Sequence, residues 1–166
     1  MTELDNALAD IAQVRHYTTA LINTIDPADW FRMPAGGVTH VAWQVGHIAM
    51  AQYRLCLERV RGVRPEDEAL ISSEFLKQFG RDSVPDPDPA KYPTPAEILA
   101  VFHRVHDQLR REATSFAEID LAGPIHPPHR ICKTKLDCLF WSSKHEMLHA
   151  GQIGLLRRLL GAAPLW

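Results

Sequence analysis

The chain has 166 residues, room for one domain with a sizeable core. Its 18 Lys and Arg against 20 Asp and Glu give a formal net charge of −2, so no sequence-independent attraction to nucleic acid or anionic lipid is expected. An apolar fraction of 46% excludes global disorder and leaves nine histidines as the unusual number.

Residues 1–10 carry three acids and no base, unlike a secretory signal. Residues 3–25 set Leu4, Leu8, Ile11, Thr18, Ile22 and Ile25 on one stripe, which predicts an amphipathic helix. Asp26 to Asp29 reads as a stop and a turn, and Pro34 to Gly37 as a loop. A second helix is predicted from about His40 to Arg61, with Gly62 just past its end. The stretch free of Asp, Glu, Lys and Arg, Met33 to Tyr53, is interrupted by Pro34, Gly36, Gly37, His40, Gln44 and His47 and does not suit a membrane span.

Residues 66–79 allow a short extra helix after Pro65. Four prolines between Val84 and Pro93 predict an extended connection. Thr94-Pro95-Ala96-Glu97 is a capping box that opens a third long helix, with Ile98, Phe102, Val105, Leu109 and Phe116 on one face. Residues 119–133 read as another Pro-rich connection. A last helix is predicted from about Thr134 to Leu160, closed by Gly161, with Arg157 and Arg158 in its final turn. Together these elements predict an all-α protein: a four-helix bundle with long Pro-rich connections, in one domain over residues 1–166. Cys56, Cys132 and Cys138 form no CxxC pair, and an odd count of thiols fits a reducing cytoplasm.

The chemistry concentrates in the last helix. His145 and His149 are four residues apart and so lie about 40° apart around the axis, close enough for both imidazoles to reach one ion. His145-Glu146-Met147-Leu148-His149 is also a literal HExxH. A zinc protease needs a further ligand downstream, and no His, Asp, Glu or Cys follows His149, so the third ligand has to come from upstream. The best candidate is His47 on the second helix, which would complete a three-nitrogen site with positions left open for water or substrate. The ordinary alternative for each is a hydrogen-bonded core histidine, but burying three imidazoles together is costly without a shared partner.

Other residues share these faces. His40 lies two turns before His47, with Trp43 between them, and could stand behind the ligands or serve as a fourth. Cys138, Trp141, Ser142 and Gln152 fall within about 60° of His145, and Glu146 about 100° from it, at the edge. Gln44, Arg54 and Glu58 lie on the His47 side. Arg54 and Glu58 are spaced for an ordinary ion pair, or Arg54 could meet an anionic substrate. His126 and His129, in His-Pro-Pro-His, could sit over the site as part of a lid. Opposite the histidines, Leu136, Phe140, Met147 and Gly154, with Ser143, Ala150 and Gly151 nearby, form a second apolar face. That face implies either a central helix or a twofold homodimer.

Ala42-Trp43-Gln44-Val45-Gly46-His47-Ile48-Ala49, together with His145-Glu-Met-Leu-His149-Ala-Gly-Gln-Ile-Gly-Leu-Leu-Arg-Arg158, resembles the DinB/YfiT-like superfamily of metalloenzymes. Thr94-Pro95-Ala96-Glu97 also fits, and the likeness spans nearly the whole chain. The resemblance implies a four-helix bundle, often dimeric. It also implies a divalent ion, commonly zinc or nickel, held by His47, His145 and His149. Relatives in that superfamily include thiol-dependent transferases and an isomerase.

The expected function is therefore metal-dependent transfer or activation of a small thiol, with a low-molecular-weight thiol as cosubstrate and a small-molecule substrate. Metal-assisted hydrolysis and a non-catalytic metal- or ligand-binding dimeric module are the alternatives. The protein itself need supply no nucleophile.

Overall fold

The computed structural model describes residues 1–165; Trp166, the last residue of the expected domain, lies outside them. The regular elements of the described residues are helical, without a named strand. Helix α1 runs Glu3–Ile22 and starts in a capping box, Thr2 with Asp5. It ends at Ile22, three residues before the predicted point, with Asn23 as its C-cap, and Ile25 of the expected stripe packs in the core from the following turn.

Helix α2, Val41–Gln52, continues without a break into a π-helical segment, Tyr53–Glu58, and then α3, Arg59–Arg61. Gly62 closes the rod at φ +87°, a conformation that favours glycine. The rod is as long as predicted, but the π segment was not visible in the hydrophobic pattern. The predicted extra helix is two short ones, α4 (Asp67–Leu70) and α5 (Ser73–Gln78). Extended Ile71 separates them, and the Ser72 side chain caps the second. Residues 84–94 then return along the protein, with one tight turn at Pro89–Lys91.

Helix α6, Pro95–Glu112, begins at the predicted capping box of Thr94 and Glu97. Phe116 of its expected apolar face lies beyond it in a 3-10 segment, Ala113–Glu118, and is fully buried. Helix α7, Lys135–Leu159, opens with a capping box of Thr134 and Asp137, and Gly161 follows it at φ +100°.

Helix α7 packs on α1 and α2, and α2 packs on α6. One buried side chain ties these four together. Arg15 of α1 donates from Nε and Nη2 to the two carboxylate oxygens of Glu146 on α7, each at 2.9 Å. Its Nη2 also reaches Gln52 Oε1 of α2 at 2.9 Å, and its Nη1 reaches the Phe102 carbonyl of α6 at 2.7 Å. The guanidinium also lies 3.6 Å from the centroid of the Phe102 ring.

The second apolar face of α7 divides in two. Ser143 and Ala150 are buried within the chain. Met147 is exposed, as are Leu148, Leu155 and Leu159, and open space surrounds the Cα atoms of Gly151 and Gly154. No helix of the described residues is long and apolar enough to cross a membrane.

Candidate metal centre

His47 sits in the second turn of α2, and His145 and His149 lie one turn apart on α7. The packing of those two helices brings the rings together. Ring centroids are 4.5 Å apart for His145 and His149, 4.7 Å for His47 and His149, and 5.3 Å for His47 and His145. One ring nitrogen from each lies within 4.8 Å of the other two, and the Nε2 atoms of His145 and His149 are 3.2 Å apart.

Two of the rings are oriented from behind. His47 Nδ1 donates to the carbonyl of Phe79 at 2.8 Å. Gly46 makes this possible, because the Phe79 ring occupies the space where a side chain at residue 46 would begin. His149 Nδ1 donates to Gln44 Oε1 at 2.6 Å, and Gln44 is itself held by donation to Thr39 Oγ1. With Nδ1 protonated and bonded, Nε2 is left as a free lone pair, the arrangement that metal-binding histidines generally adopt. Trp43 stacks on His47 at 4.6 Å with planes 14° apart, and its Nε1 donates to Ser83 Oγ.

The electrostatics agree with the hydrogen bonding. Burial lowers the pKa of His47 despite its carbonyl partner. Burial and the neighbouring imidazoles push His145 down to about 4 and His149 to about 3. All three rings are therefore neutral near pH 7, the state a metal ion requires. Three neutral imidazoles with converging lone pairs are a donor set suited to a divalent transition ion. An ion held by these three imidazoles alone would have coordination positions open.

His47 and His145 line a cavity of about 590 Å³ between the α2–π rod, the residues after α5, the first half of α7 and the Pro-rich loop. Trp141 and, from the Pro-rich loop, His129 also line it. His129 also fixes the loop's shape, because its Nδ1 accepts the backbone N–H groups of Ile131 and Cys132. His126 faces a separate groove with Arg59 and Arg64.

Several residues expected near the ligands lie elsewhere. His40 is the N-cap of α2: its Nδ1 accepts the Trp43 N–H and its Nε2 donates to the Asp86 carbonyl, so neither nitrogen is free for an ion. Glu146 points away from the cluster into the buried pair with Arg15. Cys138 is buried with Cys56 and Cys132, away from the cavity lining. Its hydrogen bond to Cys132 and its burial hold its thiol far above the usual range. Gln152 is exposed. Arg54, by contrast, lines the cavity with His47 and His145, and it does not pair with Glu58, whose carboxylate lies 3.8 Å from Arg59. Neither Phe79 nor Arg15 is marked by a motif: a main-chain acceptor leaves no side-chain signature, and an arginine on an apolar helix face is the one sequence clue to the second.

The fold and site together define a helical protein with a three-histidine cluster fit for a divalent ion. The chain belongs to the DinB superfamily, whose profile matches residues 10–153 and takes in His47, His145 and His149. A comparison with curated proteins gives no match.

Proposed function

We propose that the protein is a divalent-metal-dependent enzyme that activates or transfers a small thiol, with His47, His145 and His149 as the ligands of zinc or nickel. The observation that carries this reading is the convergence of three neutral imidazoles, two of which, His47 and His145, line a cavity that has no Ser, Thr, Cys, Lys or acid among its lining residues. A divalent ion held there would supply Lewis acidity, lowering the pKa of a thiol or water that reaches its open side. The chain's own residues orient the ligands and shape the space. Phe79 and Gln44 hold two of the rings, Trp43 shields His47, and Trp141 and the His129 loop bound the place where a substrate would sit.

Cys56, like Cys138, is unsuited to attack, since burial pushes its thiol up to about 12. Cys132 is buried too, and no cysteine lines the cavity, which favours a nucleophile brought in by a low-molecular-weight cosubstrate. Three buried free cysteines suit a reducing compartment such as the cytoplasm. The exposed strip of Met147, Leu148, Leu155 and Leu159 supports a twofold homodimer packed through α7. A dimer that dissociates when Leu155 and Leu159 are changed to Lys is expected, and a monomer in light scattering at micromolar concentration would remove that part.

The decisive experiment is a titration of cobalt-substituted protein with small thiols. A visible spectrum of five- or six-coordinate character that changes on thiol addition is expected, together with loss of bound metal in His47→Ala and His149→Ala. Equal metal content in the wild type and both variants rejects the site. An unchanged four-coordinate spectrum at millimolar thiol rejects the thiol chemistry.

A further inference from the structure

Four arginines from three separated stretches of chain meet around the cavity that opens from the imidazoles. Arg54 and Arg59 come from the α2–α3 rod, Arg81 follows α5, and Arg130 lies in the Pro-rich loop. No acid lines that cavity, although the protein as a whole is slightly acidic.

The π segment aligns the first two. Residues five apart on an α-helix point about 140° apart. A π turn bonds residue i to i+5 and so brings such residues onto one face. The Arg59 N–H bonds to the Arg54 carbonyl in this pattern, and Arg59 Nη1 donates to the same oxygen at 2.9 Å.

The four have different duties. Arg59 fastens the rod to the loop through the Pro127 carbonyl, at 3.0 Å, and its nearest acid is Glu58 at 3.8 Å. Arg54, Arg81 and Arg130 form no side-chain hydrogen bond or ion pair among the described residues. Arg54 Nε is buried without any partner, an arrangement that is costly until something anionic arrives. Guanidinium forks match carboxylate and phosphate oxygens. Met50, Ala51, Leu55 and Ile131 add an apolar wall for a carbon skeleton.

We propose that this cavity binds a small molecule bearing carboxylate or phosphate groups, its anionic end held by Arg54, Arg81 and Arg130 and its other end directed at His47 and His145. The assignment of that molecule as a substrate rests on the enzymatic reading above; the anion site itself does not.

The test is isothermal titration of the full-length protein, as purified and after dialysis against chelator, with succinate, pyrophosphate and uncharged succinamide. Succinate or pyrophosphate is expected to bind one per chain, and succinamide not at all. The tighter of the two anions tells carboxylate from phosphate. Arg54→Gln should weaken binding at least about ten-fold. Arg81→Gln, at an exposed position that leaves the fold intact, should weaken it in the same direction, and Arg110→Gln, outside the cavity, should not. No heat with either anion, equal binding of succinamide, or undiminished binding in both Arg54→Gln and Arg81→Gln overturns the proposal. Binding to chelated protein isolates the arginines from the ion, so a failed anion titration leaves the cobalt experiment standing, and the reverse also holds.

Discussion

The ring of Phe79 covers Gly46 so closely that a Cβ on residue 46 would lie 2.3 Å from its Cδ1. The same residue gives its carbonyl to His47 at 2.8 Å. Glycine at 46 and histidine at 47 thus form one device: the missing side chain admits the ring, and the ring's backbone fixes the imidazole.

Gly46→Ala should therefore disturb both stability and metal binding. Phe79 is fully buried and cannot swing clear, so overpacking should cost about 1–3 kcal/mol or more. Thermal unfolding and metal content of the variant check this. An unchanged melting temperature with full metal occupancy would show that the ring adjusts freely.

Gln44→Leu should leave His149 Nδ1 without its acceptor. Loss of such an outer partner typically weakens metal affinity about 10–100-fold. Gln44→Glu keeps an acceptor oxygen and should retain more of the affinity than Leu does. Competition against a chromophoric chelator measures both, and equal affinity in wild type and the Leu variant would contradict the role given to Gln44.

Arg15→Met or Glu146→Gln alone should destabilise the protein by about 3–5 kcal/mol, because each leaves a buried charge without its partner. Replacing both with apolar residues should cost far less than the sum. Urea unfolding of the two single variants and the double variant forms the cycle. Additive losses would mean that the pair is not the unit its geometry indicates.

Acid should weaken the protein through Asp67 and Glu112. Burial alone would raise both carboxyl pKa values, but hydrogen bonds from Arg61, at 2.8 Å to each, outweigh it and leave both below the ordinary range. As pH falls, the unfolded chain takes up these protons first, so the contribution is complete above the usual carboxylate pKa of about 4 and is lost on descent through the depressed values. Arg61→Gln should flatten the acid limb of urea midpoints measured between about pH 6 and pH 3. Parallel limbs for the two proteins would refute this.

The long helices were legible because their signals are local. Capping boxes, closing glycines and 3.6-residue periodicity are written within a few residues of one another, as at Thr94 to Glu97 and at Gly62. The HxxxH spacing of His145 and His149 is local in the same sense. What was hidden depends on partners far along the chain. Glu146 sits beside a ligand by number, yet Arg15, 131 residues away, draws it to the other side of the helix. His40 was counted with the ligands by helical phase, but it precedes the first turn and caps it. The Arg54–Glu58 spacing assumed a regular α-helix, and the π turn changed which residues share a face.

His47 takes its bearing from the stretch that leaves the helical rod at Gly62, lies against it at Phe79, Ser83 and Asp86, and ends at Thr94 where α6 begins. If that excursion lifts from the rod, the imidazole loses its anchor while the bond lengths around an ion are still intact. The residence time of a bound cation should accordingly follow how often the excursion detaches, and tightening its seat on the rod would prolong retention without altering a single ligand.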